Sequence, residues 1–185
     1  MTITPGTLLI APPSVKHHLW EHSTVLITDI ERTGGITGVI LNKCSQMTIA
    51  EFGSRLNADL EHVPGLLHIG GPDRQTSFTL LHSNDWKSKN TFQINEYFSI
   101  SSDDDILSRF EVGDEPDQWR MFLGMCTWQP GDLESQMNGS KTSTSSISWC
   151  RSSCDPDLAF DTDLEDVWDI ALERCSLEFA QNFML

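Results

Sequence analysis

His17, His18 and His22 are the first residues in the chain that could do chemistry. In a helix, His18 and His22 would stand at i and i+4, the spacing with which zinc enzymes hold their metal. The glutamate of an H-E-x-x-H motif is missing, and Pro12-Pro13 just upstream points to a turn between strands. The three read as exposed loop histidines, and no metal is assigned. Gly70-Gly71-Pro72 could cradle a phosphate, but it has neither G-x-G-x-x-G spacing nor a Walker lysine with its serine or threonine, so it reads as a tight turn at a sheet edge. Asp103-Asp104-Asp105 suits a helix start, where carboxylates meet the positive end of the dipole, better than calcium or acid-base work. Serines are abundant without a G-x-S-x-G elbow. Of the five cysteines, Cys150 and Cys154 stand at C-x3-C, which matches neither a redox CxxC nor a zinc knuckle. Cys44, Cys126 and Cys175 complete the set, Cys175 on the buried face of the last helix. They read as structural thiols. No catalytic residue and no cofactor is assigned.

The densest run of shape-determining residues lies between Arg120 and Glu134. An apolar strand ends at Gly124, Trp128 follows, and Pro130-Gly131 turns the chain into a short helical start at Asp132-Leu133-Glu134. Such a run builds a scaffold corner or a groove wall, with the indole plugging the layer beneath. Arg120 and Glu134, together with Asn42 and Lys43, are polar groups at strand or turn ends, where a groove would place contacts to a ligand or partner. The candidate binding set is therefore Asn42, Lys43, Gly70, Gly71, Pro72, Arg120, Trp128, Gly131 and Glu134.

These positions need a frame. Thr7 to Ala11, Val25 to Ile30 and Thr37 to Leu41 are short apolar or β-branched runs separated by turn residues, as strands are. Thr48 and Glu51 form a T-x-x-E capping box ahead of Ile49, Phe52 and Leu56 at helical spacing. Leu66 to Ile69, Ser77 to Leu81, Thr91 to Ile94 and Tyr97 to Ile100 continue the strands. Ser102 with Asp105 caps a second helix that Gly113 breaks, and Trp119 to Gly124 is a central strand. Thr162 and Glu165 form another capping box before Leu164, Val167, Trp168, Ala171, Leu172 and Cys175, which recur at helical intervals. Strands with single helices between them, without regular βαβ alternation, indicate an α+β domain spanning residues 1–185. Residues 138–148, rich in Ser and Thr, read as a mobile surface loop.

At 185 residues a single domain buries roughly 70% of its unfolded surface without staples. No apolar run approaches a membrane span, and the N-terminus lacks the basic start and apolar stretch of a signal peptide, so the expected compartment is the cytoplasm. A formal net charge of -15 opposes direct nucleic-acid binding, which rests on lysines and arginines releasing counterions. The acidic surface reads first as a means of staying soluble; the partner it leaves open is a protein with a basic surface, with no membrane and no direct nucleic-acid contact.

In sequence order, Gly6-Thr-Leu-Leu-Ile-Ala11, Gly38-Val-Ile-Leu-Asn42-Lys43, Gly70-Gly71-Pro72, the Arg120 to Glu134 run, Trp149, Asp155-Pro156-Asp-Leu158-Ala-Phe160-Asp161 and Val167-Trp168-Asp-Ile-Ala171-Leu172 resemble the AlgH/YqgE family of small bacterial proteins. The resemblance runs from Gly6 to about Leu177. It implies a mixed β-sheet curled into a barrel-like layer with helices packed outside. Family members are described as regulators of transcription without a settled biochemical activity. This implies a non-enzymatic regulatory or adaptor protein acting through protein contacts; the alternative is a small-ligand binder or enzyme using a groove formed by the motifs. The chain departs from the family pattern at Cys44, where a proline is usual, at Met125, Cys126 and Thr127, which stand for Tyr-(Ala/Ser)-Gly, and at Asp132, which stands for Gln.

Overall fold

The computed structural model describes residues 3–137 and 147–183. The 138–148 segment read as a mobile loop therefore lies outside the described residues except at its end, where Ile147 is buried.

Strands β1 (Thr7–Ile10), β2 (Thr24–Ile30) and β3 (Ile36–Ile40) form an antiparallel meander. Their near-continuous burial reflects two covered faces. Leu8, Ile10, Leu26, Val39 and Leu41 enter one apolar cluster, while the alternating Leu9, Val25, Ile27, Ile36 and Ile40 enter another. Strand β4 (Cys44–Thr48) then leads into helix α1 (Ile49–Arg55). The capping box is present: Thr48 Oγ1 accepts from Glu51 N–H at 3.1 Å and Glu51 Oε2 accepts from Thr48 N–H at 2.9 Å.

Strand β5 (Leu66–Ile69) pairs antiparallel with β4 and continues through Gly70-Gly71-Pro72 into β6 (Asp73–Ser83). Beyond β7 (Thr91–Gln93) and β8 (Phe98–Ser101) comes helix α2 (Asp105–Glu111). Here the expected Ser102 cap does not form. Asp103 Oδ1 accepts from the Asp105 N–H at 3.1 Å instead, and the same carboxylate binds Ser88 and the Asn90 N–H. The triple-aspartate run thus ties the loop before β7 to the helix start.

Strand β9 (Trp119–Trp128) is central, as its apolar content requires: it pairs antiparallel with β6 and β3 and parallel with β5. After it come helix α3 (Asp132–Met137), strand β10 (Cys150–Ser153), one π-helical turn at Asp157–Asp161, and helix α4 (Val167–Phe183). The Thr162–Glu165 box does not form either. Thr162 Oγ1 donates to Asp157 O at 2.9 Å, which closes the π-turn, and α4 starts only at Val167.

Among the described residues ten strands join in one mixed sheet, ordered β10-β1-β2-β3-β9-β6-β8-β7 with β4 and β5 branching from β9. It curls as a half-barrel with helices packed against it, an α+β fold. Helix α4 covers the β1–β3 face through Val167, Trp168 and Ala171, and Trp168 Nε1 donates to Ala11 O at 2.8 Å. Helices α1 and α2 cover the β6–β9 face with Phe52, Ile106 and Phe110.

Candidate functional site

The motifs converge on β9, and the close approach of backbone explains the glycines. Gly70 and Gly71 are buried and run along the middle of β9, so the expected turn at a sheet edge is corrected. Gly70 N–H donates to Leu123 O at 2.9 Å, and Gly70 O accepts from Ile40 N–H at 2.9 Å. This splices the β3 and β5 edges onto one strand. A Cβ on Gly70 would lie 2.2 Å from Gly124 O. Gly124 itself has φ +75° and would place its Cβ 2.6 Å from Gly71 O.

Just past this crossing, Pro72 and Trp128 line a cleft of about 140 Å³ with Trp20, Asp73, Asp132 and Gln136. Asp73 Oδ2 accepts from Thr127 N–H at 3.0 Å and from Thr127 Oγ1 at 2.7 Å. Gln136 Oε1 accepts from both Trp149 Nε1 at 2.9 Å and Trp128 Nε1 at 3.3 Å. Trp149 makes edge contacts with Trp20 and Trp128, at 5.6 and 6.4 Å between centroids. Trp128, 7% exposed, is core before it is a contact surface. Gly131 holds the turn into α3 at φ +84° with open space around it, and Glu134 is exposed on that helix.

Asn42 and Lys43 lie elsewhere. Asn42 Oδ1 accepts from Thr24 N–H at 2.9 Å and its Nδ2 donates to His22 O at 2.7 Å, which fixes the loop before β2. Lys43 Nζ donates to Glu21 O at 2.9 Å. Burial pulls the ammonium pKa down, with Glu21 opposing. With His22 and Trp168, whose rings stack at 4.2 Å, they line a second cleft of about 270 Å³. His17, His18 and His22 are all exposed, and among the described residues no three His, Cys, Asp or Glu side chains gather as a metal would need.

Arg120 is 9% exposed and binds backbone: Nη1 donates to Leu41 O at 3.1 Å, and Nη2 to Phe160 O at 3.1 Å and Thr162 O at 3.2 Å. Burial lowers its pKa, and Asp161 nearby raises it. The guanidinium pins the π-turn to the end of β3. His68, across β4–β5 from Cys44, shares a cleft of about 300 Å³ with Arg120. Burial first, then the Arg120 charge, push its pKa down to about 4, and its Nδ1 has no hydrogen-bond partner.

Thus the structure brings Pro72 and Trp128 together but puts Asn42 with Lys43 in a second cleft and Arg120 in a third. The sequence reading missed Gln136 and Asp73. A carboxylate directly after Gly-Gly-Pro is a legible signal; nothing local marks Gln136. It also missed a cleft of about 600 Å³ between the N-terminal loop, β10 and α4, lined by Tyr97, Arg151 and Glu178 among others.

Residues 8–180 match the family model DUF179, AlgH-like. A UPF0301 protein of Sphingopyxis alaskensis is 30% identical over 135 residues, 71% of each chain. One of Methylococcus capsulatus is 26% identical over 94% of this chain and 92% of its own length. In fold, the chain is similar to the solution structure of the AlgH protein from Pseudomonas aeruginosa, with TM-score 0.76, 21% identity and coverage of 92% and 87%. It is also similar to a Corynebacterium diphtheriae crystal structure, with TM-score 0.68, 19% identity and coverage of 92% and 86%.

Proposed function

Because the chain belongs to the AlgH-like family, we propose that it is a non-enzymatic regulatory or adaptor protein of the cytoplasm, which docks on a basic face of a protein partner and affects transcription indirectly. The observation that carries this reading is where the polar motif residues spend their hydrogen bonds. Asn42, Lys43 and Arg120 each reach backbone carbonyls of the protein itself, and the Trp128 indole N–H is taken by Gln136. Groups so occupied hold a scaffold in shape rather than poise a proton or a nucleophile. Their division among three clefts also weighs against a single groove built for a substrate.

The partner's character follows from charge. Of the 12 Lys and Arg residues, Lys16, Lys89, Arg109 and Arg174 pair with carboxylates, and Lys43 and Arg120 bind carbonyls. At least half of a small basic complement is engaged inside the molecule, whereas 27 Asp and Glu residues leave an acidic exterior that attracts basic surfaces over about a Debye length, ~8 Å. Affinity capture from lysate with the intact protein, at low and high salt, tests the reading. Specific capture of a basic protein that weakens with salt is expected. Submicromolar, salt-sensitive binding to duplex DNA in fluorescence anisotropy would instead restore a direct regulator.

A further inference from the structure

Cys150 opens β10, and Cys175 lies in the middle of α4. Both are partly exposed thiols packed against the same apolar cluster. Their alignment is set by a neighbouring contact: Glu178 Oε1 accepts from Ser152 Oγ at 2.9 Å and from Ser153 Oγ at 2.8 Å. Cys150, two positions before Ser152, shares its strand face. Cys175, three positions before Glu178, lies one turn back on the same side of the helix. Two strand residues advance ~6.6 Å and three helix residues ~4.5 Å, so stepping back along both elements brings one cysteine opposite the other. Cys175 is among the groups that raise the Cys150 pKa, as a neighbouring thiol does.

Cys154, the partner that the C-x3-C spacing suggests for Cys150, faces elsewhere. It is 5% exposed in the core, and burial pushes its pKa up to about 12.

We propose that Cys150 and Cys175 form an intramolecular disulfide when the protein meets a low-molecular-weight disulfide oxidant, clamping strand β10 to helix α4. The thiolate of Cys175 attacks one sulfur of the oxidant, forms a mixed disulfide and expels one small thiolate. The thiolate of Cys150 then attacks the Cys175 sulfur and expels the second. Two protein thiols become one disulfide, two electrons pass to the oxidant, and two protons leave on its two thiols. Burial and the adjacent sulfur raise the Cys150 pKa, which disfavours its thiolate as the first attacker. The clamp fixes two walls of the 600 Å³ cleft, because Ser152, Ser153 and Glu178 line it.

The test uses the full chain treated with oxidised glutathione, alkylated, and digested with trypsin without reduction. Cleavage after Lys43, Lys141, Arg151 and Arg174 separates Cys44, Cys150, Cys154 and Cys175 into different peptides. The expected main product is the peptide carrying Cys150 joined to that carrying Cys175. It is lost on reduction, absent in Cys150→Ser and in Cys175→Ser, and kept in Cys44→Ser. The oxidised protein should also melt several degrees above the reduced one. A Cys150–Cys154 link, an intermolecular link through Cys44, persistent glutathione adducts, or an unchanged melting midpoint would each overturn the clamp. The peptide map of the unmutated chain decides the pairing even if a variant fails to fold.

Discussion

A buried carbonyl oxygen shared by two indole N–H groups has no solvent to replace it. Gln136→Ala is therefore expected to strand Trp128 and Trp149 as unpaired donors and to cost about 2 to 4 kcal/mol. Trp128→Ala removes a packed indole and should cost roughly 3 to 5 kcal/mol. Denaturant midpoints measure both, and an unshifted midpoint for Trp128→Ala would move that residue from core to contact surface. His68 gives a pH signature whose sign is fixed. The folded imidazole titrates at about 4, against 6.5 for an ordinary histidine. Between these values the unfolded chain binds more protons, so the contribution is intact above the higher pKa and is lost as pH falls towards the lower one. The loss is roughly 3 kcal/mol. His68→Gln should remove it: between pH 7 and pH 4 the wild type is expected to lose that much more stability than the variant, and parallel curves would refute the assignment.

The crossing of Gly70-Gly71 over β9 is the element on which the sheet turns. Gly70→Ala and Gly124→Ala drive a methyl into backbone and should each cost about 3 kcal/mol or more. Gly113→Ala, at φ +74° with nothing within 4 Å of the new methyl, should cost only its left-handed strain, about 1 kcal/mol. Thermal melts of the three variants check the contrast. The same element marks where sequence reading stops. The α1 capping box and the central strand were legible because their chemistry is local and their apolar content heavy. Strands β4 and β10 read Cys-Ser-Gln-Met-Thr and Cys-Arg-Ser-Ser; they are strands only because distant edges pair with them. The caps at Ser102 and Thr162 failed to competition, from the Asp103 carboxylate in one case and the Asp157 carbonyl in the other. The candidate positions could be named singly, but their grouping into separate clefts depends on this crossing, which no local pattern records.

For the whole molecule, a charge of -15 and the internal engagement of at least half its cations predict no measurable duplex DNA affinity near physiological salt. Fluorescence anisotropy with random and genomic fragments, repeated at several salt concentrations, checks this; Lys87 and Lys89 are the first residues to mutate if binding appears. The pairing of β1 with β10, from Thr7–Ser153 to Ile10–Cys150, bears on how the protein is made. On a ribosome β1 emerges long before its outer neighbour β10, and α4, which roofs its apolar face, follows later still. Until then the nascent chain displays an open hydrogen-bonding edge beside bare leucines and isoleucines, the combination that invites misassembly. Only once translation has passed β10 and α4 does β1 find its shelter.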